Sequence, residues 1–187
     1  MSEIKSICVY CGSRKGPDHS FVEMAKELGK VLAENDINLV YGGGNVGLMG
    51  IIANKVIDQG GRVYGYIPQH LDRVEISFTR ATEMHVVPNM HVRKFNMFRQ
   101  SDAFVVMPGG LGTLDEVFEM ITWRQLGLHT KPIILLNHKN YWAPLADLID
   151  HVINNEFASP ENATFFELVD TVDQVLPAIK QMNERLP

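Results

Sequence analysis

The feature of this sequence that most restricts its fold is the alternation of short apolar, β-branched runs with longer segments of helical periodicity. Phe21, Met24, Ala25 and Leu28, for example, recur at the spacing of one helix face. This alternation is typical of a parallel sheet covered by helices on both faces, so we predict an α/β fold. The strand candidates are residues 6–10, 38–41, 62–67, 83–87, 103–107 and 132–136.

Helical patterns fill the segments between the strand candidates. They lie near residues 21–32 and 51–57, and then at 92–101, 114–126, 142–156 and 169–182, with Pro177 predicted to mark a kink or boundary. The chain has 187 residues, of which 45% are apolar and 21% charged. That length suits one well-buried core, and we predict a single domain over residues 1–187.

Composition argues against several classes of protein. The formal net charge is -5 and no block of Lys and Arg occurs, which disfavours a general nucleic-acid binder. No apolar run reaches the length of about 18 residues that a membrane span needs, and the apolar part of the N-terminus is too short for a signal peptide. We therefore expect a cytoplasmic protein with neither a nucleic-acid nor a membrane partner.

Cys8 and Cys11 have the C-x-x-C spacing of redox and zinc sites. Cys8 lies inside a strand candidate, whereas a redox pair usually opens a helix, and a second cysteine pair for zinc is missing. The seven histidines include no H-E-x-x-H spacing. We predict that the protein uses no metal and no other cofactor.

Three strand candidates end in loops rich in glycine or serine. In a parallel sheet these exits share the carboxyl edge, where open α/β folds bind ligands, and we expect them to converge on one crevice. A helix beginning at Leu114 would point its first N–H groups and the positive end of its dipole at a ligand over Gly110 and Gly112, where a phosphate fits. The loops are Cys11-Gly12-Ser13, Gly42-Gly43-Gly44 and Pro108-Gly109-Gly110.

Other interpretations of these loops stay open. The glycines could simply make tight turns, and Thr113 with Glu116 fits a T-x-x-E capping box. Gly42-x-Gly44-x-x-Gly47 matches a dinucleotide fingerprint, but the next strand candidate does not end in the acid that such a site needs. The sequence also lacks the G-K-[ST] of a triphosphate loop. A single phosphate is the more economical hypothesis.

The charges near this loop suggest a reaction. Asp115 and Glu116 would repel an adjacent anion by roughly 1 to 4 kcal/mol, so a pure phosphate carrier would gain from losing them. They suit a site where positive charge develops, as when a glycosidic bond breaks and the sugar becomes oxocarbenium-like. Arg93 and Lys94 could reach over the crevice, although such a pair is more often a solvated helix face.

Five segments together resemble the LOG family, the cytokinin riboside 5′-monophosphate phosphoribohydrolases marked by P-G-G-x-G-T-x-x-E. The likeness runs from Ser6 to about Phe157, with the segments in family order and at family-like spacing. They are VYGGGNVGLMG (40–50), IPQHL (67–71), MHVRK (90–94), SDAFVVMPGGLGTLDE (101–116) and TWRQLGLH (122–129).

The resemblance implies a Rossmann-like, doubly wound three-layer fold, a homodimer, and hydrolysis of the N-glycosidic bond of a purine nucleoside 5′-monophosphate. The products would be free base and ribose 5-phosphate. Arg93 and Glu116 correspond to the catalytic pair. At position 115 the family often has Glu, and this chain has Asp. The substrate-binding residues that the resemblance implies are Glu75, Arg93, Lys94, Gly110, Leu111, Gly112, Thr113, Leu114, Asp115, Glu116 and Thr122.

Two other functions compete with this one. A nucleotide or cofactor carrier of the same fold would bind without catalysis, and the coexistence of Arg93 and Glu116 argues against it. Lysine decarboxylase, a label attached to the family, would need pyridoxal phosphate on a lysine, and the PGGLGTLDE loop contains none. For the apolar stripe of residues 114–126, core packing is the default, and only the resemblance favours a dimer contact.

Overall fold

The computed structural model describes residues 4–71 and 78–185. Except between β3 and β4, a helix separates each pair of consecutive strands along these residues, and every strand pairs in parallel with its neighbours. The strands are β1 (Ser6–Tyr10), β2 (Asn38–Tyr41), β3 (Val63–Pro68), β4 (Glu83–Val87), β5 (Ala103–Val106), β6 (Ile133–Leu136) and β7 (Glu167–Val169). The helices are α1 (Ser20–Glu34), α2 (Gly47–Asp58), α3 (Met90–Gln100), α4 (Leu111–Gln125), α5 (Ala143–Asn154) and α6 (Val175–Glu184).

The strands of the described chain form one seven-stranded sheet in the order β4-β3-β2-β1-β5-β6-β7. β1 is central, and its Ile7 lies opposite Leu39 of β2 and Ala103 of β5. The chain thus builds outward from β1 to β4, and β5 then starts again on the other side of β1. This reversal confirms the predicted Rossmann-like, doubly wound α/β fold.

The core consists of two apolar clusters, one on each face of the sheet. Leu28 of α1 and Ile52 of α2 pack into one cluster, and Met97 of α3 and Val117 of α4 into the other. Full burial of a side chain of this size stabilises the fold by about 1.5–3 kcal/mol. Across the described ranges, none of the helices combines the length and apolar character needed to cross a bilayer.

The structure corrects the C-terminal prediction. The sequence pattern predicts a helix over 169–182, whereas a three-residue strand, β7, ends at Val169 and α6 begins only at Val175. β7 lies at the edge of the sheet, is only partly buried and lacks the buried apolar run that marks β1, β5 and β6. Pro177 lies in the first turn of α6, where no N–H donor is needed, which agrees with the predicted boundary.

Candidate active site

The exits of β1 and β5 meet at the point where the strand order reverses. The Gly12 N–H donates to the Pro108 carbonyl at 3.0 Å, and the Leu48 N–H donates to the Gly12 carbonyl at 3.1 Å. The second bond ties the start of α2, after the β2 exit, to the same place. The prediction that the three glycine loops lie together at one edge is therefore confirmed, and ligands of open α/β folds bind at such an edge.

Helix α4 begins three residues earlier than predicted. Gly110 is its N-cap, Leu111 its first residue, and the Leu114 N–H already donates to the Gly110 carbonyl at 3.1 Å. Thr113 is therefore the third residue of the helix and not its cap, so the alternative interpretation of Thr113 and Glu116 as a capping box is wrong. The first N–H groups of α4 have no partner within the helix, and they point out of the sheet edge with the positive end of the dipole.

The glycines of this loop serve different purposes. A Cβ on Gly109 would lie 2.1 Å from the Thr113 Oγ1, so the packing of Thr113 requires a glycine there. A Cβ on Gly110 or Gly112 would meet no atom within 4 Å in the described part of the chain, neighbouring residues aside. Protein packing thus does not explain Gly110 and Gly112, whereas a ligand approaching the bare backbone would.

Arg93 and Glu116 lie together beneath this helix start. Their side chains are buried, with exposed fractions of 7% and 9%, and Arg93 Nη1 lies 3.9 Å from Glu116 Oε1. Arg93 Nε donates to the Tyr66 carbonyl and Nη2 to the Gly42 carbonyl, both at 3.0 Å. Backbone acceptors at the ends of β2 and β3 therefore fix the guanidinium, which in turn holds the carboxylate.

Lys94, the next residue of α3, joins this helix to α4. Its ammonium lies 3.0 Å from Asp115 Oδ2 and 3.1 Å from Glu119 Oε1, and only 9% of its side chain is exposed. Burial lowers the pKa of Lys94, but the hydrogen bonds to Asp115 and Glu119 outweigh it and raise the pKa above the usual value. Lys94 is therefore a charged ammonium in the neutral pH range.

The other predicted binding residues are less closely grouped. Leu111 is 85% exposed beside the helix start, and Leu114 packs against the core. Thr122 lies on the exposed part of α4, about 16 Å along the helix axis from Leu111. Glu75 lies outside the described residues. The binding roles of these four residues stay predictions, as do the roles of the other predicted site residues.

Sequence reasoning missed several participants. Gly42 and Tyr66 hold Arg93 through backbone carbonyls, which no sequence pattern distinguishes. The Tyr141 hydroxyl donates to the Gly109 carbonyl at 2.6 Å and braces the β5 exit from a distant part of the chain. Glu119 could have been found, because it follows Asp115 by one helical turn and shares its helix face.

The two cysteines are free thiols and both are buried. Burial, followed by the charge of the nearby Glu116 carboxylate, raises the pKa of Cys8 far above the usual range. Its thiol is therefore protonated and unreactive at neutral pH. Within the described ranges no three His, Cys, Asp or Glu side chains lie close enough together to hold a metal ion.

Comparison with known proteins places this chain in a family. Residues 49–179 match the family described as "Possible lysine decarboxylase". A cytokinin riboside 5′-monophosphate phosphoribohydrolase of Arabidopsis thaliana is 41% identical over 186 residues, covering 100% of this chain and 85% of the relative. The chain belongs to the LOG family.

Further LOG proteins come from distant organisms. A probable cytokinin riboside 5′-monophosphate phosphoribohydrolase of Oryza sativa subsp. japonica is 44% identical over 98% of this chain and 74% of its own length. A cytokinin riboside 5′-monophosphate phosphoribohydrolase of Rhodococcoides fascians is 40% identical over 94% of this chain and 89% of its own length.

Among solved structures, the Moco carrier protein of Chlamydomonas reinhardtii superposes with a TM-score of 0.73. It is 20% identical and covers 98% of this chain and 100% of its own. The molybdenum cofactor binding protein of Rippkaea orientalis gives a TM-score of 0.72 at 21% identity over 98% and 99% of the two chains. At these identities the likeness shows that the LOG family shares its fold with carriers.

Proposed function

We propose that this protein hydrolyses the N-glycosidic bond of purine nucleoside 5′-monophosphates, cytokinin riboside 5′-monophosphate and/or AMP. The products are the free base and ribose 5-phosphate, so that the prenylated substrate yields an active cytokinin. The observation that carries the proposal is the buried Arg93–Glu116 pair beside the open N-terminus of α4. The names of relatives at 40–44% identity support it.

The 5′-phosphate binds at the start of α4. Unpaired N–H groups of the first turn donate to the phosphate oxygens, and the glycines at 110 and 112 allow close approach. Anchoring the phosphate fixes the ribose relative to Glu116 in the second turn of the same helix. Positioning of this kind lowers a reaction barrier by several kcal/mol, and by up to roughly 7–11 kcal/mol in ideal intramolecular cases.

Glu116 acts on the sugar. As the bond from C1′ to the base nitrogen breaks, its electron pair leaves with the base, which takes up a proton, and positive charge develops on the ribose. The Glu116 carboxylate either stabilises that charge or accepts a proton from the water that attacks C1′. Arg93 orients the carboxylate through the contact at 3.9 Å.

The competing functions fit the site less well. A decarboxylase that holds pyridoxal phosphate on a lysine needs an amine that can lose its proton, whereas Lys94 is ion-paired with two carboxylates and its pKa is raised. The carrier function is supported by structures at 20–21% identity, which share the fold. A carrier would also gain nothing from a buried carboxylate aimed beside its anion site.

A homodimer and a cytoplasmic location belong to the same proposal. Helices α3 and α4 pack together through Phe98 and Trp123, whose ring centroids are 5.0 Å apart. Phe95, Leu126 and Leu128, on or just after these helices, are 48–65% exposed, and a second copy would cover them. The free thiols agree with a reducing compartment.

The test is to incubate the purified protein, without metal or added cofactor, with AMP and with isopentenyladenosine 5′-monophosphate. Free base is followed by chromatography. We expect base release from at least one nucleotide, and the ratio of the two rates defines the preferred substrate. Nucleotide binding without base release would instead support the carrier function.

A further inference from the structure

A cavity of about 540 Å³ opens at the carboxyl edge of β1 and β5. The chain after β1 (residues 12–17) forms one wall, and the chain after β5 (residues 108–111) forms the facing wall. Gly110 and Leu111, the cap and first residue of α4, line it directly. Its volume falls in the range of small-molecule sites, about 300–1,000 Å³.

Hydrogen bonds fix the two walls relative to each other. The Gly12 N–H bonds to the Pro108 carbonyl at 3.0 Å, and the Tyr141 hydroxyl holds the Gly109 carbonyl at 2.6 Å from a third side. The distance across the cavity is therefore set by the backbone. A group bound at the α4 start faces the side chains of residues 13–15.

The charges around the start of α4 do not suit a phosphate dianion. Three carboxylates lie on its second and third turns, and the two nearby cations are already committed to them: Arg93 to Glu116, and Lys94 to Asp115 and Glu119. These five side chains carry a net negative charge. A phosphate bound beside them needs further positive charge from elsewhere.

Arg14 and Lys15 supply that charge on the facing wall. Both line the cavity and both are exposed. In the ranges 4–71 and 78–185 neither forms an ion pair or a side-chain hydrogen bond, whereas Arg93 and Lys94 form both. An arginine and a lysine without partners, opposite a helix N-terminus, form a cationic wall.

We propose that Arg14 and Lys15 bind the 5′-phosphate from the side opposite α4, and that this wall selects nucleoside monophosphates over unphosphorylated nucleosides. The inference rests on the proposed function, because it specifies how the same site recognises its substrate. The Arg14 guanidinium offers paired donors to two phosphate oxygens, and Lys15 adds a point charge. Arg93 and Lys94 then organise the carboxylates and are not the main phosphate ligands.

The experiment compares Arg14→Ala, Lys15→Ala and the double variant with the wild type. Ribose 5-phosphate binding is measured by calorimetry at several salt concentrations, and kcat and KM are measured for AMP and for adenosine. Lys180→Ala is the matched control, because Lys180 is an exposed lysine on α6 that does not line the cavity. Thermal unfolding checks that each variant folds.

We expect each single variant to weaken ribose 5-phosphate binding about tenfold, with a larger loss in the double variant. KM for AMP should rise in parallel while kcat changes little, and the salt dependence of binding should become shallower. The ratio of kcat/KM for AMP to kcat/KM for adenosine should fall. Lys180→Ala should behave as the wild type does.

Binding by the double variant within twofold of the Lys180→Ala control would overturn the proposal, as would a wild type that does not bind ribose 5-phosphate. Failure of the proposed function looks different. In that case the wild type binds ribose 5-phosphate and the double variant does not. The wild type nevertheless releases no base from AMP or from isopentenyladenosine 5′-monophosphate.

Discussion

Glycine-rich loops follow both β2 and β5, and a Cβ added at each would meet very different surroundings. On Gly42 it would lie 1.8 Å from Arg93 Nη2, and on Gly47, where φ is +60°, it would lie 2.1 Å from the backbone of the β1 exit. On Gly110 and Gly112 it would meet no described atom within 4 Å beyond its chain neighbours. Gly42 and Gly47 make room for protein, whereas Gly110 and Gly112 leave room for a ligand.

The difference separates two roles that look the same in sequence. A dinucleotide fingerprint of the form Gly42-x-Gly44-x-x-Gly47 suggests cofactor binding, yet at positions 42 and 47 the structure explains the glycine by internal contacts. Substitutions after β2 should therefore reduce stability or misplace Arg93. Substitutions of Gly110 or Gly112 should reduce ligand binding and leave the fold intact.

Glu116→Gln should have the largest effect, because Glu116 connects the two regions: it lies on the helix that starts at Gly110 and contacts the arginine held by Gly42. We expect kcat to fall about 1,000-fold, within the range for loss of a catalytic acid or base. Nucleotide binding and folding should persist, since Arg93 keeps both of its carbonyl acceptors. Base release and calorimetric nucleotide binding are the measurements.

Glu116→Asp is the matched control, since it keeps the charge and shortens the arm. It should retain more activity than Glu116→Gln. If Glu116→Gln lost folding and binding together, a structural role of Glu116 would explain the data, and the catalytic assignment would be wrong.

Gly42→Ala should have the next largest effect. The new methyl group cannot coexist with the guanidinium at 1.8 Å, so Arg93 must leave the Gly42 and Tyr66 carbonyls. We expect the free energy of unfolding to fall by about 3 kcal/mol, as for a disrupted buried charge, and kcat to fall about 100-fold. Urea unfolding and base release measure the two effects.

A double-mutant cycle tests whether Gly42 affects activity through Arg93. If Gly42 acts through Arg93, adding Gly42→Ala to Arg93→Ala should cause little further loss. Additive losses would mean that Gly42 serves another purpose, and the contrast between the two loops would weaken.

Gly47→Ala should affect mainly stability. Its backbone has φ of +60°, and a Cβ would press on the backbone of Ser13, so both strain and a clash oppose the substitution. We expect the free energy of unfolding to fall by about 2 kcal/mol in urea titrations. At temperatures where the variant is folded, its kcat should be closer to that of the wild type than the kcat of Gly42→Ala. A loss of kcat as large as that of Gly42→Ala would contradict the assignment of a mainly structural role to Gly47.

Much of this fold could be predicted because its central strands, such as β1, β5 and β6, are apolar runs buried on both faces, as is typical of parallel strands. The edge strand β7 could not, since only the last of its three residues, Val169, is fully buried and the strand carries no such run. The start of α4 was misplaced because the helical pattern of residues 114–126 begins only at Leu114, whereas the extended backbone of Gly110 caps the helix without a side chain. Local side-chain patterns cannot reveal a backbone cap.

The site was predictable to a similar degree. The resemblance nominates Arg93 and Glu116, and the structure brings them within 3.9 Å of each other. The anchoring of Arg93 by the Gly42 and Tyr66 carbonyls could not be predicted, because every residue has a carbonyl and only the fold determines which ones face the guanidinium. The ion pairs of Lys94 with Asp115 and Glu119 could not be predicted for the same reason, since they depend on how α3 packs against α4.

Gly112→Ala should have the smallest effect on stability and activity, and it distinguishes most directly between a ligand-binding and a structural role for a glycine. Its Cβ meets open space, and alanine is the better helix former, so the free energy of unfolding should rise by about 0.5 kcal/mol. The same methyl group would stand where a phosphate approaches the first turn of α4, and ribose 5-phosphate binding should weaken about tenfold, or about 1.4 kcal/mol. Urea unfolding and calorimetry measure the two quantities on one sample. A gain in stability with unchanged binding would mean that the phosphate does not bind beside Gly112. A gain in stability together with weaker binding would mean that the ligand, and not the fold, requires glycine at this position.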